Sequence, residues 1–375
     1  MRKSILTCCL ILLVTFNLPY GTEIPEPVHK ESIIAQTMLF EKELEKTGVF
    51  INDSSMNFYL NGILQKVAPD SANLSIKVLK SSTFNAFAAP HGTIYICTGL
   101  LAKIQNEAQF AALLGHEMVH ILRDHACQNL INTKKKALSS ARMQIGLEFF
   151  IGSLAGTVGN LTLKSAISGY CRELEREADS LGLIRMREAG YAPIEFRNLF
   201  MILKNHIEHE NIKQPFFFAT HPAVSERISN YYSFAGVDTI KAAQGLVNSE
   251  VFNRMIKCVL QTDGIMKIAA GDLVVAESNF SRILESDTCN SPAYMQLGNI
   301  TRLRSAQQIS EHVFKWYNRA KGCDSTGEVL RELGFYYFKS GNPDSSVYYL
   351  KQYQSLYPLS PYKPVIEDYL KKCVR

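Results

Sequence analysis

The stretch His116-Glu117-Met118-Val119-His120 decides how the rest of the chain is read. Two histidines four residues apart on a helix differ by about 40° in direction, so both imidazoles project from one face and can share a metal ion. Glu117 lies one step round, where it reaches a water on that metal and not the metal itself. The combination points to zinc, which acidifies the water while the adjacent carboxylate takes the proton as the water attacks a carbonyl. Leu113, Leu114, Val119, Ile121 and Leu122 cover the remaining faces. The expected helix, from about Asn106 to Asn129, is therefore a rigid support. The plainer alternative is a pair of solvated histidines.

A catalytic zinc needs a third protein ligand. His125 follows His120 by five residues, which on a continuing helix turns it away towards the polar end. Position 126 is Ala126, so the metzincin-type third histidine is absent. Carboxylates come from the run Arg172-Glu173-Leu174-Glu175-Arg176-Glu177-Ala178-Asp179, inside a helix expected from about Cys171 to Gly190. Two pairs at helical spacing compete, Glu173/Glu177 and Glu175/Asp179. Ala178 and Gly182 flank the second pair and let that face approach another helix, a modest preference. Glu173, Arg176 and Glu177 also read as a solvated charged face.

Outward from these two helices the pattern changes several times. Helical periodicity runs from Val28 to Val67, broken at Gly48 and stopped by Pro69. Leu74–Leu79 and Thr93–Thr98 are β-type, and Pro90-His91-Gly92 between them is a hairpin turn signal. Met143–Gly169 is apolar and dotted with glycine, interrupted by Glu148 and Asn160, which favours a helical hairpin or flap over a membrane span. In the last third, Gly264, Gly298 and Gly334 recur at spacings of 34 and 36 residues, close to the tetratricopeptide period of about 34. Leu333-Gly334, Tyr337, Gly341, Leu350 and Pro358 fit the third copy best. Such helix pairs stack into a concave surface that holds peptides or partner proteins.

At the amino terminus, Arg2 and Lys3 precede the apolar run Ile5–Phe16. A charged start with a short apolar core reads as a secretory signal, since a span needs about 20 residues. Export to a periplasm or the exterior is expected, the alternative being an anchor formed by the uncleaved segment.

His116-Glu117-Met118-Val119-His120 together with Glu175-Arg176-Glu177-Ala178-Asp179 resembles the family-48 metallopeptidases, the HtpX-like and CAAX-prenyl-protease-like gluzincins. Asn85-Ala86-Phe87-Ala88, Ile94-Tyr95-Ile96-Cys97-Thr98-Gly99-Leu100-Leu101 and Thr220-His221-Pro222 with Glu226-Arg227-Ile228 extend the likeness over about residues 30–235. With an exported start and a repeat end, the chain is most similar to the periplasmic BepA-like branch, though shorter in its repeats. The resemblance implies that Glu175 is the third ligand of one zinc ion per chain, held with His116 and His120, and that Asp179 accepts a hydrogen bond from a ligand histidine. On physical grounds, Pro222 keeps His221 out of helical geometry, free to be an oxyanion donor or a ligand that keeps the enzyme latent, the plainer alternative being an ordinary cap histidine. Asn85, Ala86, Phe87 and Ala88 become the edge strand on which a peptide substrate is laid. Arg227 supports the site, or forms a surface ion pair.

The expected architecture is thus mainly α with a small β-sheet, an α+β gluzincin peptidase domain followed by an all-α tetratricopeptide-repeat array. Residues 1–22 form the signal peptide, 23–240 the zinc metallopeptidase domain and 250–375 about three repeats. The expected function is a zinc-dependent endopeptidase of the cell envelope that hydrolyses misfolded or assembling envelope proteins, with Glu117 as general base and acid. The competing function is a chaperone-like or assembly-factor adaptor working through the repeats with latent proteolysis. Expected partners are protein or peptide substrates and the envelope-assembly machinery. Membrane association is at most peripheral or amino-terminal.

Bulk properties bound these readings. A chain of 375 residues with 46% hydrophobic and 20% charged residues is ordinary globular material with room for two or three domains. The net charge of +5 falls to about +3 without Arg2 and Lys3, which offers nothing for nucleic acid. Removing Cys8 and Cys9 leaves seven of nine cysteines. Cys289 and Cys323 would occupy equivalent places in successive repeats, roughly 10 Å apart and beyond the usual Cα limit of about 7 Å, so no bond is expected between them.

Overall fold

The computed structural model describes residues 30–125, 127–128, 170–210, 224–235, 243–305, 310–323 and 327–374. Helix α1 spans Lys30–Lys46 and α2 spans Ser54–Val67. Gly48, at φ 69°, supplies the left-handed residue after the first. The second starts on Asp53, whose carboxylate accepts the Met56 amide at 2.9 Å. Three strands follow, β1 (Ser75–Leu79), β2 (Ala86–Ala88) and β3 (Thr93–Cys97). Their order is β1-β3-β2, with β3 parallel to β1 and antiparallel to β2. Every residue of β3 is buried, as a central strand covered on both faces requires. The Pro90-His91-Gly92 segment turns β2 into β3. A Cβ on Gly92 would sit 2.3 Å from the Asn73 carbonyl oxygen, so only glycine fits there.

A short helix, α3 (Thr98–Leu101), leads to α4 (Glu107–Leu122), whose first turn is capped by Asn106 accepting the Gln109 amide at 2.8 Å. Residues Glu107 to His120 are buried without interruption, so α4 is the axis on which the other elements pack. It ends at Leu122, earlier than the Asn129 expected from sequence, because Asp124 adopts φ 57° and turns the chain off the helix axis. Helices α5 (Arg172–Glu188), α6 (Ile194–Glu210) and α7 (Val224–Ala235) complete this half, with α5 and α6 against α4 and α7 against both α5 and α6.

The remaining helices are α8 (Ser249–Met255), α9 (Lys257–Ala269), α10 (Leu273–Ser286), α11 (Ser291–Arg304), α12 (Glu311–Gly322), α13 (Val329–Lys339), α14 (Pro343–Leu356) and α15 (Lys363–Cys373). They pack as consecutive pairs α9/α10, α11/α12 and α13/α14. In each pair the first helix carries a glycine pressed against a large side chain of the second. A Cβ on Gly264, Gly298 or Gly334 would lie 2.8, 2.4 or 2.5 Å from Phe280, Tyr317 or Leu350. The fold is thus mainly helical with one small sheet. Residues 1–29 and 129–169, on which the signal and flap readings fall, lie outside the described residues.

One expectation is overturned. Cys289 and Cys323 form a disulfide, with Cα atoms 5.2 Å apart. Each follows the second helix of a pair, α10 and α12, and it is the expected separation between such positions that fails. Cys289 lies in the turn before α11 and Cys323 caps the end of α12, so they are the two open ends of one helix pair, which antiparallel packing brings together.

The first helices of this second half share one apolar core with the first half. Phe252, Ile256, Leu260 and Phe280 belong to the same cluster as Met56, Leu60 and Phe110. Arg282 on α10 donates to the backbone carbonyls of Ala102 (2.7 Å) and Ile104 just before α4. Glu107, buried at the start of α4, accepts from Tyr59 (2.6 Å), Tyr191 (2.5 Å), Lys66 (3.0 Å) and Asn248. Burial opposes its charge, but these four donors hold its carboxyl below the ordinary range. A lowered folded-state pKa stabilises the fold above the unfolded value, near 4.5, and that contribution is lost as the pH falls below it. Glu107→Gln is expected to cost about 2–3 kcal/mol at neutral pH. The gap to wild type should narrow on acidification below pH 4.5, which thermal melts across pH would register. Reducing the Cys289–Cys323 bond reopens a loop of 34 residues, and is expected to cost about 3–4 kcal/mol. A lower melting temperature in dithiothreitol that Cys289→Ser reproduces would confirm it.

Candidate metal centre

The site is made where α4 crosses α5. Gly115 and Gly182 meet backbone to backbone: a Cβ on Gly115 would lie 2.8 Å from the Gly182 carbonyl oxygen, and one on Gly182 2.8 Å from the Gly115 carbonyl carbon. Ala178, fully buried, extends the close face. Residue 116 follows the first glycine directly, while Glu175 and Asp179 precede the second within two turns. Of the two carboxylate pairs, this proximity brings one against α4. Glu175 and Asp179 are buried against α4, whereas Glu173 is exposed and Glu177 half-exposed.

His116 Nε2 and His120 Nε2 are 3.2 Å apart. Glu175 reaches both, Oε2 at 3.7 Å from His116 Nε2 and Oε1 at 3.5 Å from His120 Nε2. Tetrahedral ligands at zinc bond lengths of about 2.0–2.1 Å lie roughly 3.3–3.5 Å from one another, so the three donors match that spacing. Among the described residues they form the one cluster of histidine, cysteine and carboxylate side chains able to hold a metal ion. Glu117, 1% exposed, follows His116 on the same helix.

Each histidine is oriented from behind. His116 Nδ1 lies 3.0 Å from Asp179 Oδ1, a geometry that places the proton on Nδ1 and leaves Nε2 as a donor pair towards the cluster. His120 Nδ1 lies 3.0 Å from His125 Nδ1, and His125 Nε2 lies 3.5 Å from Glu177. With His120 donating and His125 accepting, Nε2 of His120 is likewise left for the cluster. The His120 ring stacks on Tyr170, centroids 3.9 Å apart and 16° between planes. Burial shifts His125 towards its neutral form, as an acceptor requires.

Arg227 closes the site from α7. Its Nε and Nη2 donate to Asp179 at 2.8 and 2.6 Å, its Nη1 lies 3.1 Å from Glu175 Oε2, and its guanidinium packs on the Phe200 ring at 4.1 Å. Arg227 Nη2 is also 3.0 and 3.3 Å from the two ring nitrogens of His116, a near-equidistance that reads as contact with the ring and not as a hydrogen bond to either nitrogen. Burial disfavours charge on Asp179, but Arg227 and His116 hold its carboxyl below the usual range. Arg227 is 3% exposed, so the surface ion-pair reading is set aside.

Asn85, Ala86, Phe87 and Ala88 lie at the sheet edge that packs on α4. Among the described residues no strand pairs with the outer side of β2, and the buried Asn85 Oδ1 has no hydrogen-bond partner. His221, with Thr220 and Pro222, lies outside the described residues. The helix break at Asp124 explains why sequence spacing misplaced His125: off the α4 axis it folds back behind His120 and is buried. Tyr170 carries no motif, and only its place just before α5 could have flagged it.

Residues 55–233 match the family model described as Peptidase family M48. Over that segment the chain is similar to peptidase family M48. The putative beta-barrel assembly-enhancing protease of Vibrio cholerae is 23% identical over 191 residues, covering 48% of this chain and 39% of that protein. The beta-barrel assembly-enhancing protease of Escherichia coli K12 is 21% identical over 207 residues, covering 51% and 41%. The mitochondrial metalloendopeptidase OMA1 of Arabidopsis thaliana is 34% identical over 119 residues, covering 32% and 23%. The aligned region thus spans about two-fifths or less of the length of these relatives. M48 peptidases are zinc-dependent, and the cluster of His116, His120 and Glu175 fits that ion. Asp179→Asn is expected to weaken zinc binding by about 10–100-fold, measured by competition with a chromophoric chelator, with the far-UV circular dichroism unchanged.

Proposed function

We propose that the chain is a zinc-dependent endopeptidase of the cell envelope acting on misfolded or assembling envelope proteins. The observation that carries the proposal is the buried convergence of His116 Nε2, His120 Nε2 and Glu175 at ligand spacing, with Glu117 beside them. Zinc, when bound, supplies a Lewis acid that polarises the scissile carbonyl and acidifies water. His116, His120 and Glu175 hold the ion. Asp179 and His125 fix the tautomers of the two histidines, and Arg227 balances the charge of Glu175 and Asp179. The Glu117 carboxylate takes a proton from the attacking water and delivers it to the amide nitrogen of the leaving chain. The free edge of β2 receives the substrate as an added strand, which Asn85 braces through its side-chain amide. His221 is assigned to the oxyanion, or to a latent state that substrate relieves.

The setting is inferred from two features. The amino-terminal charge-plus-apolar pattern reads as an export signal. The Cys289–Cys323 bond suits an oxidising compartment. No helix among the described residues is long and apolar enough to cross a membrane. The helix pairs from α9 to α14 are read as a tetratricopeptide-like array that recruits partners, by analogy with relatives named for β-barrel assembly. Glu117→Gln is expected to keep about one zinc per chain while hydrolysis of an unfolded protein falls about 10²–10⁴-fold. Wild-type turnover by that variant would overturn the peptidase reading. Full complementation of an envelope defect by an inactive variant would favour the adaptor.

A further inference from the structure

Helices α11, α12, α13 and α15 enclose a cavity of about 260 Å³ that shares no residue with the metal cluster. Tyr336, Tyr362 and Tyr369 contribute aromatic walls, and Arg302, Arg331 and Lys339 contribute positive charge. Arg331 is already engaged. Its Nε and Nη2 donate to Glu332 at 3.0 and 2.8 Å, and its guanidinium stacks on Tyr362 at 4.0 Å. Glu332 is the one carboxylate in the lining, and this pairing consumes it. The cavity's uncompensated charge therefore rests on Arg302 and Lys339, neither of which forms an ion pair among the described residues. Arg302 Nε is buried without a hydrogen-bond partner, and Lys339 is exposed at the rim.

We infer that this cavity binds the carboxyl terminus of an extended polypeptide whose last side chain is aromatic. The occupant must bring an anion and a flat apolar surface together within the width of one or two residues. A terminal residue does so, because its carboxylate and side chain leave the same Cα. An internal acidic residue offers charge without the ring, and inorganic phosphate offers nothing to the tyrosines. The planar fork of Arg302 suits a carboxylate, and the tyrosine rings suit an aromatic side chain. The volume lies just under the range of small-molecule pockets, fitting a chain end better than a folded surface. The site is independent of the zinc chemistry and would select substrates or partners by how they end.

The test is fluorescence anisotropy on the full chain, using a short labelled peptide ending in phenylalanine with a free carboxylate. A zinc chelator in every sample prevents turnover, so the outcome does not depend on the peptidase reading. Saturable binding is expected, weakened about tenfold or more by amidating the terminus, and similarly by Arg302→Gln. Exchanging the terminal phenylalanine for glycine should also weaken it. Lys339→Gln, at an exposed position that folding does not need, should weaken binding in the same direction. The inference is overturned if the free-carboxylate peptide does not bind, or if amidation leaves its affinity unchanged. Equal competition by inorganic phosphate or by a peptide with an internal Asp-Phe also overturns it, as does an unaltered affinity in Lys339→Gln.

Discussion

The crossing of two glycines, Gly115 and Gly182, sets the distance on which every other feature of the metal centre depends. Side chains at the crossing would push α4 and α5 apart, and the carboxylates of Glu175 and Asp179 would no longer meet the two histidines. Glycine costs helix stability in an interior position, and α4 offsets that cost by being buried along most of its length. Rigid helices then convert one backbone contact into fixed positions for five side chains. A loop-built site would lack that precision.

Burial makes the balance of charge inside this crossing unforgiving. Glu175 and Asp179 lie in a medium where a lone carboxylate is costly. Arg227 reaches both, while Asp179 also serves His116. The result is two histidines held by two different devices: a carboxylate behind His116, and a second imidazole backed by Glu177 behind His120. Imidazoles with unlike supports differ in basicity, so the two sides of the candidate site are not electronically equivalent.

The parts of this molecule legible in its sequence are those where helical periodicity alone fixes geometry. His116 and His120 share a face because they are four apart, and Ala178 and Gly182 announce a close approach. The three glycines of the helix pairs likewise reveal themselves by spacing. What escaped depends on departures from regular backbone. A left-handed residue at Asp124 brings His125 back beneath His120, which no helical projection anticipates. The disulfide escaped for a related reason. The spacing of Cys289 and Cys323 suggests a separation along the stack of helix pairs, whereas the contact is made across the open end of one pair. Arg227 is visible as part of the Glu226-Arg227-Ile228 likeness, but its burial depends on Phe200 and on the packing of α7 against α5, which are tertiary facts.

The joint between the two halves has a consequence for how the molecule can vary. Arg282 on α10 bonds Asn253 on α8 and fastens to main-chain oxygens at Ala102 and Ile104. Among the described residues, the core shared with the first half reaches as far as Ala293, Leu297 and Ile300 of α11, with Trp316 of α12 packed against it, and the last pair α13/α14 takes no part. Whole pairs can therefore be added or removed at the distal end without disturbing the helix that carries the histidines. Array length and catalytic geometry are separable variables, and a lineage or a designer can change the reach of the molecule while leaving its chemistry alone.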